Sequence, residues 1–211
     1  MKDFSIVIPT IVNASIHELL HSISKSTLKP KEVIISIPMG KEIIFKKEDF
    51  SFDTKIISRA VGQVLQRIEG FKEVKTPFCI QMDDDIKFDK DFLNLLVTNF
   101  EKLEDNSVLG PLSTIDGKPF SMLINPKPPL SKLLYYVLDS EISPKFGSIT
   151  KSGMPLGVDP FFNKDFESPI VETSWISGCC IIHRTSNLIN DWEYPYKGKA
   201  YAEDLIHSAL L

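Results

Sequence analysis

Three consecutive aspartates, Asp83, Asp84 and Asp85, follow the apolar run "FCIQM" at residues 78–82. Unit charges about 5 Å apart repel by about 3 kcal/mol at an effective dielectric near 20, and by under about 1 kcal/mol in open water. Such a triplet is cheap on a wet turn and costly in a cleft. Two readings of it stand side by side. In one it is a solvated loop entering a helix, because Asp89 suits an N-cap and Phe92, Leu95, Leu96, Phe100 and Leu103 follow at helical spacing. In the other a divalent cation, or a phosphate and a metal together, reverses the repulsion, since hard cations take carboxylate oxygens.

A different chemistry is offered by "HELLH" at residues 17–21, which has the spacing of a zinc-protease motif. On a helix, Ile16, Leu19, Leu20 and Ile23 centre on one direction, and His17 and His21 lie about 110 to 150° from it. Catalytic zinc needs both histidines in a walled cleft with a third ligand, and no convincing third ligand follows. Exposed surface histidines are expected. The three cysteines, Cys79 and the vicinal Cys179 and Cys180, form neither a disulfide framework nor a CxxC pair. With His183 as the one basic neighbour, Cys179 and Cys180 are expected as small buried residues in a protein of the reducing cytoplasm.

The elements that would position these groups alternate. "FSIVI" (4–8) reads as a buried strand stopped by Pro9, and Ser15 with Glu18 reads as a capping box for a helix ending before Pro30. "EVIISI" (32–37) is a second strand ended by Pro38, and a helix is expected over 58–74 with Val61, Val64, Leu65, Ile68 and Phe71 inward. "FCIQM" is the third strand. Strand, helix, strand, helix, strand implies right-handed crossovers and an α/β fold with a mostly parallel sheet flanked by helices. Ligands of such sheets bind beyond the carboxyl ends of the strands, where Pro9, Thr10 and the aspartates all fall.

From 106 to 172 prolines recur and periodicity weakens, so long loops and short elements are expected there. Within it "LLYYVL" (133–138) reads as core sooner than as a lipid or partner contact. "SWISGCCIIH" (174–183) reads as strand, small-residue turn, strand, and "AEDLIHSALL" (202–211) starts a helix with acids at its N-terminus. The 211 residues, 43% hydrophobic and 25% charged, can supply a full core. A net charge of −4 without a run of five basic residues argues against a nucleic-acid partner. No apolar run reaches the roughly 18 residues of a membrane span, and no anchor or export signal is visible.

Measured back from Asp83 the chain reads Gly62, Arg67, Gly70, then the aspartates, or G-x4-R-x2-G-x12-D-x-D. With "SIVIPT" near its start and "AEDL" near its end, the sequence resembles the GT-A-fold glycosyltransferases, in particular family two, the inverting nucleotide-sugar enzymes. The resemblance runs in order over nearly the whole chain and implies one GT-A domain over 1–211, with a nucleotide-binding half (1–105) and an acceptor-side half (106–211). It implies a hexosyltransferase-like enzyme that moves a sugar from a nucleotide-sugar donor, a UDP-sugar first, to a hydroxyl of a glycan, a lipid-linked or another acceptor. A location in the cytoplasm or peripherally at the inner face of the membrane goes with it.

For individual residues the resemblance implies Mn²⁺ or Mg²⁺ ligated by Asp85, with Asp83 on the ribose or on a metal-bound water and Asp84 on the nucleotide side. Pro9 and Thr10 match the base-binding edge. Arg67 matches an arginine near the nucleotide, its alternative being a surface arginine paired with Glu69 or Glu73. Asp204 matches the catalytic base and Glu203 its supporting neighbour, the alternative being ordinary helix N-terminal acids. Gly178 in "SGCC" would let backbone approach the donor sugar, and Trp175 either stacks on a sugar face or packs in the core.

Three departures stand out. The second strand ends in "ISIPMG", without the family's carboxylates, and only Asn13 remains of an aromatic-Asn pair after Pro-Thr. A histidine that often completes the family's metal site lies beyond the end of this chain, and His207 is a poor substitute. Either a short variant or a missing C-terminal part is expected. A nucleotide-sugar-binding domain without turnover is the alternative function; a nucleotidyltransferase ranks last, for want of a Gly-rich loop with an arginine after the first strand.

Overall fold

A computed structural model describes residues 3–44, 50–115, 118–119, 133, 137, 147–149, 155, 170–191 and 203–210. The chain forms two compact units, one of Met1–Gly110, Ser177–Glu203 and Leu211, the other of Pro111–Ile176 and Asp204–Leu210.

The first unit holds β1 (Phe4–Pro9), α1 (Ser15–Lys25), β2 (Glu32–Pro38), β3 (Asp53–Ala60), α2 (Gln63–Phe71), β4 (Phe78–Met82) and α3 (Phe92–Phe100). The second unit holds a two-stranded ribbon of β5 (Thr114–Ile115) and β6 (Lys118–Pro119). β7 (Cys180–Arg184) returns the chain to the first unit, and α4 (Glu203–Leu210) begins there with Glu203 and continues in the second. The central sheet has the order β3-β2-β1-β4-β7, with β7 alone antiparallel to its neighbour. This is the mostly parallel α/β sheet that the alternating pattern implies.

Buried parallel strands read as unbroken apolar runs because both faces are covered. Here Ile6 and Ile8, Val33 and Ile35, Ile80 and Met82 share one core with Leu19, Leu20 and Ile23 of α1 and Leu93, Val97 and Phe100 of α3. The alternate residues Val7, Ile34, Ile57 and Cys79 join Phe71 of α2 and Leu188 in a smaller one. The polar residues of α2 complete that second face.

Several expectations are corrected. The helix expected from residue 58 begins at Gln63, because Ser58 to Ala60 belong to β3, a strand the pattern does not reveal. Gly62, at φ 107°, turns the chain between them, a conformation that favours glycine. Val61 and Leu65 consequently face outward, while Gln66, Arg67 and Gly70 face in. The capping box of α1 does not form: Ala14 is the N-cap, and the Ser15 hydroxyl donates to Asn13 Oδ1 at 2.6 Å. Asp91, not Asp89, precedes α3, whose Leu95 is exposed. Of "SWISGCCIIH" only the second strand exists, after a turn at Gly178–Cys179. Leu133 and Val137 are exposed where core is expected, and the rest of "LLYYVL" lies outside the described residues. His17 and His21 are exposed, on the flank that the apolar face of α1 leaves to solvent.

Candidate active site

The C-terminal edge of the parallel strands gathers the chemistry-bearing residues of the first unit. β1 ends at Pro9, and the buried Thr10 that follows donates its backbone N–H to Ser36 O at 3.0 Å, which ties the ends of β1 and β2 together. Its hydroxyl donates to Asp84 Oδ2 at 2.5 Å and accepts the Val12 N–H at 3.0 Å. Val12 takes φ 68°, an uncommon conformation for a β-branched residue. Backbone held in such a conformation persists where its surroundings over-determine it, and it clusters at functional sites. Here one hydroxyl fixes both the turn and the second aspartate.

Asp83 is the most constrained of the triplet. Its N–H donates to Cys179 O at 2.8 Å, so the "SGCC" turn anchors its backbone. Its Oδ1 accepts Gln63 Nε2 at 2.9 Å and Arg67 Nη2 at 2.5 Å. Burial raises the Asp83 carboxyl above its usual range; the charge and hydrogen bond of Arg67 and the bond from Gln63 oppose the rise, and the charge of Asp85 adds to it. Arg67, 3% exposed, also donates from Nη1 to the buried Glu203 Oε1. It is therefore not the surface arginine of the alternative reading. Arg59 fills that role, 2.5 Å from Glu73 and 3.9 Å from Glu69.

Two glutamines missed by the sequence reading complete the frame. Gln66 Nε2 donates to the carbonyls of Thr10 at 3.0 Å and Ser36 at 2.6 Å, and Gln81 Nε2 donates to Gly178 O at 2.8 Å. Buried backbone carbonyls need such partners where the ladder ends. With Gln63, α2 thus carries Gln63, Gln66, Arg67 and Gly70 at i, i+3, i+4 and i+7, a stripe that was visible in the sequence as spacing. Gly178 is buried, its carbonyl engaged by Gln81. Burial pushes the Cys79 and Cys180 thiols up, which makes them inert packing groups; Cys179 is half-buried.

In the second unit Asp204 is half-buried in the first turn of α4, its carbonyl accepting the Ser208 hydroxyl at 2.7 Å, and Ser208 Oγ accepts the Ile176 N–H at 3.1 Å. Trp175 is half-buried and accepts the Thr173 hydroxyl at its carbonyl, 2.8 Å away. His207 is buried.

The donor set suits a hard divalent cation. Asp83 Oδ1 and Asp84 Oδ2 are engaged by protein donors, and the charge of the exposed Asp85 carboxylate acts on the Asp83 carboxyl. Among the described residues no three His, Cys, Asp or Glu side chains converge as a ready-made metal cage. Two carboxylates completed by substrate phosphates are the mode in which Mg²⁺ binds at phosphoryl sites.

A family model described as "Glycosyl transferase family 2" matches residues 5–155. The structure of S. aureus TarS 1-349 in complex with UDP-GlcNAc is similar over 99% of this chain and 52% of that one, with a TM-score of 0.59 and 18% identity. That of S. aureus TarS 1-349 in complex with UDP gives 24% identity and a TM-score of 0.44 over 57% of this chain and 39% of that one. The chain thus spans about half of the TarS piece at most, and the likeness to the UDP-GlcNAc complex shows the fold. No curated protein sequence matches. Among the described residues no helix is long and apolar enough to cross a membrane.

Proposed function

The chain belongs to glycosyl transferase family 2, and from that premise we propose that it transfers a sugar from a nucleoside diphosphate sugar to an acceptor hydroxyl, with inversion. The observation that carries the reading is the edge where Thr10 holds Asp84 and Arg67 holds Asp83, on the side where parallel sheets bind ligands. TarS, similar in fold, forms complexes with UDP-GlcNAc and UDP, which makes a uridine diphosphate sugar the donor we propose. A glycan or lipid-linked hydroxyl is the acceptor class. Three free cysteines fit a reducing compartment, so the cytoplasm is the proposed location, peripherally at a membrane if the acceptor is lipid-linked.

Asp83 and Asp85 are the residues that would hold Mn²⁺ or Mg²⁺. When bound, the ion would offset the charge that builds on the diphosphate as the sugar departs. Thr10 and Pro9 border the nucleoside end of the edge, and Asp84, fixed by Thr10, faces the nucleotide from the same side. The acceptor oxygen forms its bond to the anomeric carbon as the bond from that carbon to the diphosphate breaks. Asp204 takes the proton that the acceptor hydroxyl releases, as a general base opposite the leaving group must. Glu203 supports it by fixing the first residue of α4 through Arg67.

The test separates binding from turnover. Asp204→Asn is expected to abolish transfer while UDP with Mn²⁺ still raises the melting temperature, because a ligand at 100 times its Kd stabilises the native state by about 2.7 kcal/mol. Undiminished transfer by the variant would refute the role of Asp204. UDP binding by a parent protein that transfers from no donor would favour a binding domain without turnover, which the carboxylate-free end of β2 also fits.

A further inference from the structure

Arg67 lies one helical turn after Gln63 and reaches two carboxylates 136 and 16 residues away in sequence, Glu203 and Asp83. All three side chains belong to the first unit. We propose that Arg67 is a positioning residue for the glycosyl-transfer site, a clamp that fixes Asp83 in one orientation by sharing its charge with Glu203. This rests on the nucleotide-sugar reading of the aspartate edge. A guanidinium 3% exposed is poorly placed to meet a diphosphate itself. It acts on the ligand through Asp83: Arg67 and Gln63 both occupy Oδ1, which leaves Oδ2 as the oxygen presented to a cation.

The residue type follows from the task. A guanidinium offers nitrogens in a rigid planar fork and can serve two carboxylates at once, whereas a lysine ammonium is a point charge on a flexible stem. Two carboxylates side by side without that charge would repel, and a buried ion pair that loses one partner leaves an uncompensated charge behind. Glu203 is therefore more than a helix N-terminal acid: it is the second anchor of the clamp and the chain neighbour of the proposed base Asp204.

The experiment uses Arg67→Lys, Asp83→Asn, Glu203→Gln and the Asp83→Asn/Glu203→Gln double variant. Melting temperatures without ligand form a double-mutant cycle. Each single variant removes one of the two carboxylates that Arg67 bridges and the double removes both, so the double is expected to lose more than the sum of the singles. Affinity for UDP with Mn²⁺ is the second readout. Arg67→Lys is expected to raise its Kd about tenfold, and Glu203→Gln, which reaches Asp83 only through the clamp, about threefold. Additive melting temperatures would overturn the clamp. Affinities within about twofold of the parent in both variants, with only the melting temperature lowered, would reduce Arg67 to a structural residue and overturn the positioning role. A parent that binds no UDP with Mn²⁺ would overturn the nucleotide reading and the positioning role together, while the ligand-free cycle would still decide whether the clamp exists.

Discussion

Replacing Gly70 by alanine tests how tightly α2 is seated on the sheet. In an open helix the change stabilises by up to about 1 kcal/mol, since glycine loses more backbone entropy on folding. Gly70 is not in an open helix: a Cβ added there collides with Val7 Cγ1 of β1. Val7 has no exposed surface, and β1 is hydrogen-bonded to β2 on one side and β4 on the other, so the strand cannot retreat. The helix is held too, by Gln63, Gln66 and Arg67. Forcing a methyl group into such a contact costs about 3 kcal/mol, the upper end of the overpacking range. Set against the propensity gain, the net loss is about 2 kcal/mol, which for a chain of this length lowers the melting temperature by about 4 to 8 °C. The assay is thermal and urea unfolding of Gly70→Ala, Val7→Ala and the double variant. Val7→Ala removes the methyl groups in the way, so the double variant should cost less than the two singles added, with a coupling of about 1 to 3 kcal/mol. A Gly70→Ala protein that melts at or above the parent temperature, or a cycle that adds, would refute the close seating of α2.

Asp85→Asn should leave ligand-free stability within about 0.5 kcal/mol, because the side chain is exposed, yet remove the part of the UDP melting shift that depends on Mn²⁺; an undiminished Mn²⁺ effect would take Asp85 out of the metal site. Glu73, bonded by Lys55 and Arg59, has its carboxyl held below the ordinary 4.5 by those two partners, Lys55 first. A depressed folded-state value means the stabilisation is present above the unfolded value and is lost as pH falls through the folded one. Glu73→Gln should therefore lower stability at pH 7 and converge with the parent in acid below the depressed folded-state value. The difference should stay under about 1 kcal/mol because both partners are half-exposed. Parallel stability curves down to that acid range would dissociate the ion pair from folding.

The strands of the core were legible because their burial on both faces leaves an apolar run with a proline at its end, as in "FSIVIP" and "EVIISIP". β3 was not, for the opposite reason: "DTKIISRA" is an edge strand in which only Ile57 is buried, so its charged residues read as loop and its last residues were absorbed into the following helix. The aspartate triplet was legible as a strand end on the same edge as Thr10, whereas the bond from the Thr10 hydroxyl to Asp84 was not.

What periodicity could not supply was the inward face of α2. Counting apolar residues assigns Val61 and Leu65 to the core, whereas the buried stripe is Gln66, Arg67 and Gly70 beside Val64, Ile68 and Phe71. Polar side chains are buried only where partners await them. Here the partners are the Thr10 and Ser36 carbonyls, Asp83 and Glu203, separated from α2 by up to 136 residues. No local window contains them. The breach of the apolar pattern is thus itself informative: a helix packed beside the carboxyl edge of a parallel sheet that buries Gln66, Arg67 and Gly70 has given up hydrophobic area on that face, and the groups it holds in return, two strand-end carbonyls and an aspartate, are those of the candidate site.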